Sequence, residues 1–490
     1  MKIKTKIIAG VLIAASVAAL TGCNSNKPDV EVESARREIK RDEKMLYADS
    51  YDMDVTLDAE AKTLESAVTA KIYNNTDVTL DEILFHIPVE DYLKEKGSSL
   101  SAEVTGAYLG TDKTASLEYV VDSENPGCYI FVSLGDKKLD PGSEMMLTLE
   151  VKENIPEEDM RFGHFTSDKY DQFVLGDCFP KVVEFRNDGW MLITNNRDET
   201  FAQVSDYQVE VHLPEGYTAV GTGVEIPSDD CISLNAVDSR DFAFVATNNY
   251  KSYYLANGKL TANLYYPDET QFSDMVINVF SSRIPLGMDW MEDYVYVYPW
   301  NQYDIVLINT DQDVNAYPGL TVIGGKDIIG GVSNDKKEDT ENAYGASISK
   351  GLLKQWFFEI IGSNKKTDGW LSNGLTAWFS DYMGVKTYGD LQEHRITETI
   401  EEMKKKYPEA MSMKLSATFP DEETADIVNT YRGAEFIEEL FRRLGEEEFF
   451  AAMKDYFMEY KYKEADTKGF LDIIQNHSET DLKQLIDEFV

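Results

Sequence analysis

Apolar and polar side chains alternate through Met53, Val55 and Leu57, and again through Leu64, Val68, Ala70 and Ile72. A period of two is that of strands with one buried face. Asn74-Asn75-Thr76-Asp77 is a turn signal, and a further apolar alternation runs through Ile83, Phe85 and Ile87. Turn-forming clusters recur at Glu124-Asn125-Pro126-Gly127 and Asp140-Pro141-Gly142. The pattern predicts a large antiparallel β-sandwich over 49–250.

The period then changes. Ile348, Leu352, Leu353, Trp356, Phe357, Ile360 and Ile361 fall at helix spacing and predict a helix over 348–361, stopped by Gly362. Lys350 and Lys354 then share one face, with Glu359 and Asp381 as candidate acids to answer them. Phe436, Leu440 and Phe441 stripe a helix ending near Gly445, and Phe449, Phe450, Met453, Tyr456 and Phe457 stripe the next. Stripes at this spacing belong to a core. Leu471 to Val490 reads as a closing helical hairpin, and Asn334 to Asn342 as a charged, mobile loop. The second domain therefore spans 251–490.

The amino terminus adds a location. Lys2, Lys4 and Lys6 precede an apolar run from Ile7 to Ala19, about 13 residues long and too short for a comfortable membrane span. Leu20-Thr21-Gly22-Cys23 matches a bacterial lipobox. Residues 1–22 are thus expected to be a lipoprotein signal peptide. Lipidated Cys23 would anchor the rest to the extracytoplasmic face of the cell membrane, with 23–48 as a tether. The formal net charge is −41, which excludes the basic patches that nucleic acid requires and disfavours lying flat on anionic lipid. Cys128, Cys178 and Cys231 remain, an odd number at no metal-ribbon spacing, and are expected as buried free thiols, with one disulfide as the alternative.

One frame carries candidate chemistry. Ser349-Lys350-Gly351-Leu352-Leu353-Lys354-Gln355-Trp356-Phe357 is followed by Trp370-Leu371-Ser372-Asn373-Gly374, with Trp378 beyond. It resembles the signature of the membrane alanyl aminopeptidase (aminopeptidase N-like) gluzincins. That signature is H-E-x-x-H-Q-W-F, then W-L-N-E-G, with eighteen residues between the second histidine and the glutamate. In that family two histidines at i and i+4 and a glutamate hold zinc, and a glutamate beside the first histidine is the general base. Here the histidine positions are Lys350 and Lys354, the base position is Gly351 and the third-ligand position is Asn373. Asn315-Ala316-Tyr317-Pro318-Gly319-Leu320 fits the loop that binds a substrate amino terminus, with Ala316 at the glutamate. Thr430-Tyr431-Arg432-Gly433 fits the loop of the oxyanion-stabilising tyrosine, with Thr430 at that position and Tyr431 one residue on. Weaker likenesses at Tyr51 to Asp58, Phe179-Pro180, Gly189-Trp190, Leu213 to Tyr217 and Arg240 to Ala243 extend the resemblance over about residues 49 to 490.

The resemblance implies an α+β chain: an N-terminal antiparallel β-sandwich, then a thermolysin-like (gluzincin) α/β domain, with a cleft between them. An ammonium cannot ligate zinc while protonated, glycine takes no proton, and asparagine is a poor stand-in for a carboxylate. No catalytic residue, metal ligand or cofactor is therefore expected, zinc included. The five histidines, His86, His164, His212, His394 and His477, form no i, i+3 or i, i+4 pair. Asp311 to Asn315 opens like a calcium loop but lacks its glycine and closing glutamate. The reading is a catalytically inactive pseudo-peptidase that binds a peptide or envelope-protein partner in its cleft. Its alternatives are an active metallo-aminopeptidase with other zinc ligands and a structural module of an envelope or transporter complex.

Overall fold

The first alternating run becomes the strand Met45–Asp58, whose Tyr51, Met53, Val55 and Leu57 are buried while Asp52, Asp54, Thr56 and Asp58 face water. The structure is a computed structural model that describes residues 44–95, 102–122, 129–187, 189–192, 203–228, 230–258, 260–311, 313–388 and 395–490. The signal segment, Cys23, the tether as far as residue 43, the turn at 124–127, Cys128 and His394 lie outside the described residues. The strand begins at Met45, so the last residues of the expected tether belong to the sheet.

Met45–Asp58 pairs antiparallel with Thr63–Asn74, which pairs antiparallel with Glu144–Asn154. Its other neighbour, Ser205–His212, runs parallel to it, with Met53 beside Val209 and Val55 beside Val211. The sandwich is therefore not purely antiparallel. A parallel pair needs a long connection, and here the chain makes part of the opposing layer before it returns at Ser205. That layer holds two four-stranded sheets, one of them ordered Tyr217–Gly221, Ala243–Asn248, Asp171–Gly176, Phe162–Thr166. Val55, Leu64, Val68 and Leu149 from the large sheet meet Ile83, Phe85, Phe173 and Phe244 from the opposing layer in one core.

A second sheet starts at Tyr250. Its order is Tyr250–Asn257, Leu260–Pro267, Gln302–Ile308, Leu320–Gly324, Val314–Tyr317. The three middle strands are parallel, and the helix Ser273–Tyr294 makes the first crossover. Val314–Tyr317 folds back antiparallel on Leu320–Gly324 as an edge hairpin. The helices beyond bury Trp356, Trp370, Trp378, Phe379, Phe436, Phe449 and Met453 together, so the aromatic stripes are core as their spacing implies.

Two helical expectations need correction. The charged stretch at 334–342 is not a loop: Asn334–Lys336 is a 3₁₀ turn leading into the helix Lys337–Lys354. Glu338 and Asp339 sit in its first turn, where the helix dipole favours carboxylates. The helix does not continue in α form to residue 361, because Gln355–Ile360 is wound as a π-helix. Every residue from Gly351 to Ile361 is buried, so the apolar spacing is not that of a one-sided helix. Of the cysteines, Cys178 is a buried free thiol and Cys231 a half-buried one.

The sandwich and the second sheet share a dry seam. Phe165, Val174, Val220 and Val245 pack on Val306, Ile308, Tyr317, Leu320 and Val322. Gln172 crosses it twice, donating Nε2 to the Leu307 carbonyl at 3.0 Å and accepting from the Asn309 amide at 2.9 Å. Asn315 donates to the Met160 carbonyl at 2.8 Å.

One inward sandwich position breaks the apolar rule. Glu153 is 1% exposed, and among the described residues neither carboxyl oxygen has a hydrogen-bond partner. Burial first, and the Glu90 charge second, push its carboxyl well above the usual range. The charged form is the costly one, so the native state loses stability as pH rises through that raised value. Glu153→Leu is expected to raise stability by about 1–3 kcal/mol in urea unfolding. The gain should be larger at mildly alkaline than at mildly acidic pH.

Candidate functional site

The frame residues lie on four elements that pack together. The helix Lys337–Lys354 carries Lys350, Gly351 and Lys354; the helix Lys365–Met383 carries Asn373. The edge hairpin carries Ala316, and a π-wound turn, Val428–Arg432, carries Thr430 and Tyr431. The first helix touches both strands of the hairpin and the second helix, and the second helix touches the π-turn. Elements far apart in sequence are thus packed together.

The residues shared with the signature have structural work. Gln355 is fully buried; its Nε2 donates to the Tyr317 carbonyl at 3.1 Å and its Oε1 accepts from the Gly319 amide at 2.9 Å. It thereby clamps the hairpin turn, where Gly319 takes a φ of 74° that favours glycine. Trp356 donates its indole N–H to the Tyr296 carbonyl at 2.8 Å, and Trp370 to Thr467 Oγ1 at 2.9 Å. Trp378 donates to Glu438 at 2.8 Å and stacks on Tyr382. At Gly374 the second helix crosses Gly433 so closely that a Cβ would lie 2.8 Å from the Gly433 carbonyl carbon. Only a glycine permits that approach.

The substituted positions look different. Lys350 is exposed, whereas Lys354 is only 6% exposed, with its ammonium 4.6 Å from the Phe358 ring centre. That is cation–π range, so the two lysines share a helix face but not an environment. Of the acids expected to answer them, Asp381 accepts the backbone N–H groups of Arg395 and Ile396 at 3.0 and 3.1 Å. Glu359 is buried and acts on the guanidinium of Arg240, which also donates to the Lys463 carbonyl at 3.0 Å. Burial lowers the Arg240 pKa, and the charges of Glu464 and Glu359 oppose that shift.

At Gly351, the general-base position, a Cβ would lie 2.4 Å from Thr321 Cγ2 and 3.0 Å from its hydroxyl. Thr321 is itself fixed by a 2.8 Å hydrogen bond with the Tyr303 hydroxyl, and it pairs across the hairpin with Ala316. A side chain at 351 is therefore excluded by a neighbour that is held in place. Asn373 and Ala316 are half-buried. Tyr431 lies against the helical core, beside an Arg432 whose guanidinium sits 3.8 Å from the Phe489 ring centre.

These residues do not fit zinc. Two ammonium groups and an amide stand at the ligand positions, and the base position has no room for a carboxylate. None of the described histidines is on either site helix: His86 stacks on Tyr129, His164 contacts the Pro156 carbonyl, and His477 contacts Asp455 and Glu448. The remaining one, His212, joins Asp54 and Glu210 in the single group of three metal-type donors among the described residues. It sits on the solvent face of the sandwich, where Asp54 is beside Glu210 and Thr56 beside His212. Sequence spacing holds no sign of it, because it depends on the parallel pairing.

Residues 285–489 match the Peptidase family M1 domain. No curated protein sequence is significantly similar to the chain. Among solved structures, an M1 zinc metallopeptidase from Deinococcus radiodurans is similar over 90% of this chain and 92% of that one, at 15% identity and a TM-score of 0.61. A mutant of an M1 zinc metallopeptidase from the same organism, bound to a Tyr-Ser-Ala substrate, is similar over 90% and 93%, at 16% identity and a TM-score of 0.60. A two-domain M1 zinc metallopeptidase mutant bound to L-arginine matches over 90% and 93%, at 15% identity and 0.60. At these identities the likeness is one of fold.

The Gly351–Thr321 contact is testable by itself. Gly351→Ala is expected to cost about 1–3 kcal/mol in chemical denaturation through overpacking. Adding Thr321→Ser, which removes the closest methyl and keeps the hydroxyl for Tyr303, should recover part of the loss. Equal costs with and without the serine would show that the contact is not limiting.

Proposed function

We propose, on the premise that residues 285–489 are a Peptidase family M1 domain within a two-domain M1 fold, that this chain is an aminopeptidase-like binding protein and not a hydrolase. The observation that carries the reading is the closure of position 351 by Thr321, with Lys350, Lys354 and Asn373 where zinc ligands would be. The packing roles of Gln355, Trp356, Trp370, Gly374 and Trp378 support a site region kept in shape without its chemistry. The cleft that the resemblance implies beside these helices would suit a peptide or an envelope-protein partner. Lys350, which is exposed, would suit a carboxylate of that partner. Lipid attachment at Cys23 would hold the protein on the extracytoplasmic face of a bacterial membrane.

The similarity to zinc metallopeptidases favours one competing reading, a metal-dependent aminopeptidase with other ligands. Elemental mass spectrometry on residues 24–490, purified without chelator, separates the two. Zinc well below one per chain, together with no release of amino acids from peptides, is expected. One tightly held zinc per chain would overturn the proposal. Lys350→Ala with Lys354→Ala is expected to weaken peptide binding at least several-fold while leaving zinc content unchanged. Unaltered binding would remove the carboxylate role from both lysines.

A further inference from the structure

Two carboxyl groups meet across the seam without a cation. Asp304, on the strand Gln302–Ile308, is 0% exposed. Its Oδ1 accepts from Asn263 Nδ2 at 2.8 Å and its Oδ2 from Gln302 Nε2 at 2.6 Å. The same Gln302 nitrogen donates to Oε2 of Glu225. Glu225 comes from the other domain, on Val224–Pro227, the edge strand of the large sandwich sheet. Its Oε1 accepts from the Gly221 amide at 3.1 Å. One amide nitrogen thus lies against a carboxyl oxygen of each residue and brings the two carboxyl groups together.

Two carboxyl groups held against one amide nitrogen repel when both are charged, and a proton on one of them removes the repulsion. The surroundings offer no other balance. Among the described residues, neither Asp304 nor Glu225 forms an ion pair with a lysine, arginine or histidine. The titratable groups facing them from the neighbouring strands and the preceding loop are phenols. Tyr265 and Tyr303 are raised chiefly by burial, as is Tyr298, whose hydroxyl donates to the Gln302 carbonyl at 3.0 Å. Two like charges this close, one of them fully buried, cannot both form cheaply.

We infer that the buried Asp304 carboxyl keeps its proton beside Glu225 and that the pair forms a pH-sensitive latch between the sandwich and the second sheet, closed while the proton is held. Burial first, then the Glu225 charge, holds the Asp304 carboxyl well above the usual range, which favours retention. On loss of the proton the two carboxylates repel across Gln302, and the edge strand is driven from the sheet. The path to the candidate site is short. The Asp304 amide donates to the Gly319 carbonyl at 2.8 Å, and the Gly319 amide donates to Gln355. The latch therefore bears on the turn that Gln355 clamps, and it stands whether or not the cleft binds a peptide.

Linkage sets the sign. A carboxyl raised in the folded state contributes stability that is whole below the unfolded value and is lost as pH rises through the folded value. Thermal unfolding of residues 24–490, measured from mildly acidic to mildly alkaline pH, reads this directly. Asp304→Asn imitates the protonated acid, donating to Glu225 while still accepting from Asn263. Relative to the parent, it should gain stability as pH rises, by up to about tenfold in the unfolding equilibrium constant per pH unit over the titration. Glu225→Gln, at a half-buried position, should do the same and serves if the first variant does not fold. The infrared band of a protonated carboxyl, present in the parent at neutral pH, should weaken in either variant. Stability slopes against pH identical to the parent in both variants, or an unchanged carboxyl band, would overturn the latch.

Discussion

The side-chain amide of Gln355 is the constraint on which the site region depends. It is fully buried and satisfies two backbone groups of one turn, the Tyr317 carbonyl and the Gly319 amide. A buried turn with those groups unpaired would cost a few kcal/mol. With them paired, the edge hairpin is fixed on the helix that carries Lys350, Gly351 and Lys354. Tyr317 in turn packs into the seam with Val174, Val220 and Val245 of the sandwich. One amide thus joins the helix, the hairpin and the domain interface. This accounts for a region held in shape around residues that do not suit a metal.

Much of the architecture was legible in the chain. The alternation at Met53, Val55 and Leu57 is a strand, because one sheet face is wet and the other dry. The stripes at Phe436, Leu440, Phe449 and Met453 are core, because helices at this spacing can bury nothing else so well. The frame at Gln355, Trp356, Trp370 and Gly374 is buried where the two helices and the hairpin pack together. Each of those residues has a partner that only its own chemistry satisfies: an amide for two backbone groups, an indole N–H for a carbonyl or hydroxyl, a glycine for a passing backbone.

What was not legible depends on neighbours distant in sequence. Local pattern cannot tell whether Met45–Asp58 pairs with its second neighbour in parallel, so the Asp54, Glu210 and His212 group stayed hidden. The charge-rich stretch at 334–342 suggested a loop, since only its place at a helix amino terminus makes Glu338 and Asp339 favourable. The π-winding of Gln355–Ile360 arises where every side chain is enclosed, which removes the polar face that a periodicity argument needs. Thr321 was invisible as a site residue. It bears no catalytic group, and its importance is the volume it occupies over Gly351.

The parallel pairing of the first strand has a consequence for how the chain matures. Met45–Asp58 can form a hairpin with Thr63–Asn74 at once, since the connection is short. Its opposite edge must wait for Ser205–His212, with Ser50 beside Asp206, so that flank stays open while the strands from Glu82 to Gly176 are made. Closing so distant a contact is slow, and an open strand edge is an invitation to pair with another molecule. Asp52, Asp54 and Asp58 line the wet face of that strand. Their mutual repulsion between copies would discourage stacking of half-built sheets while the interval lasts. The acidity of this chain is then a protection during assembly as well as a property of the finished surface.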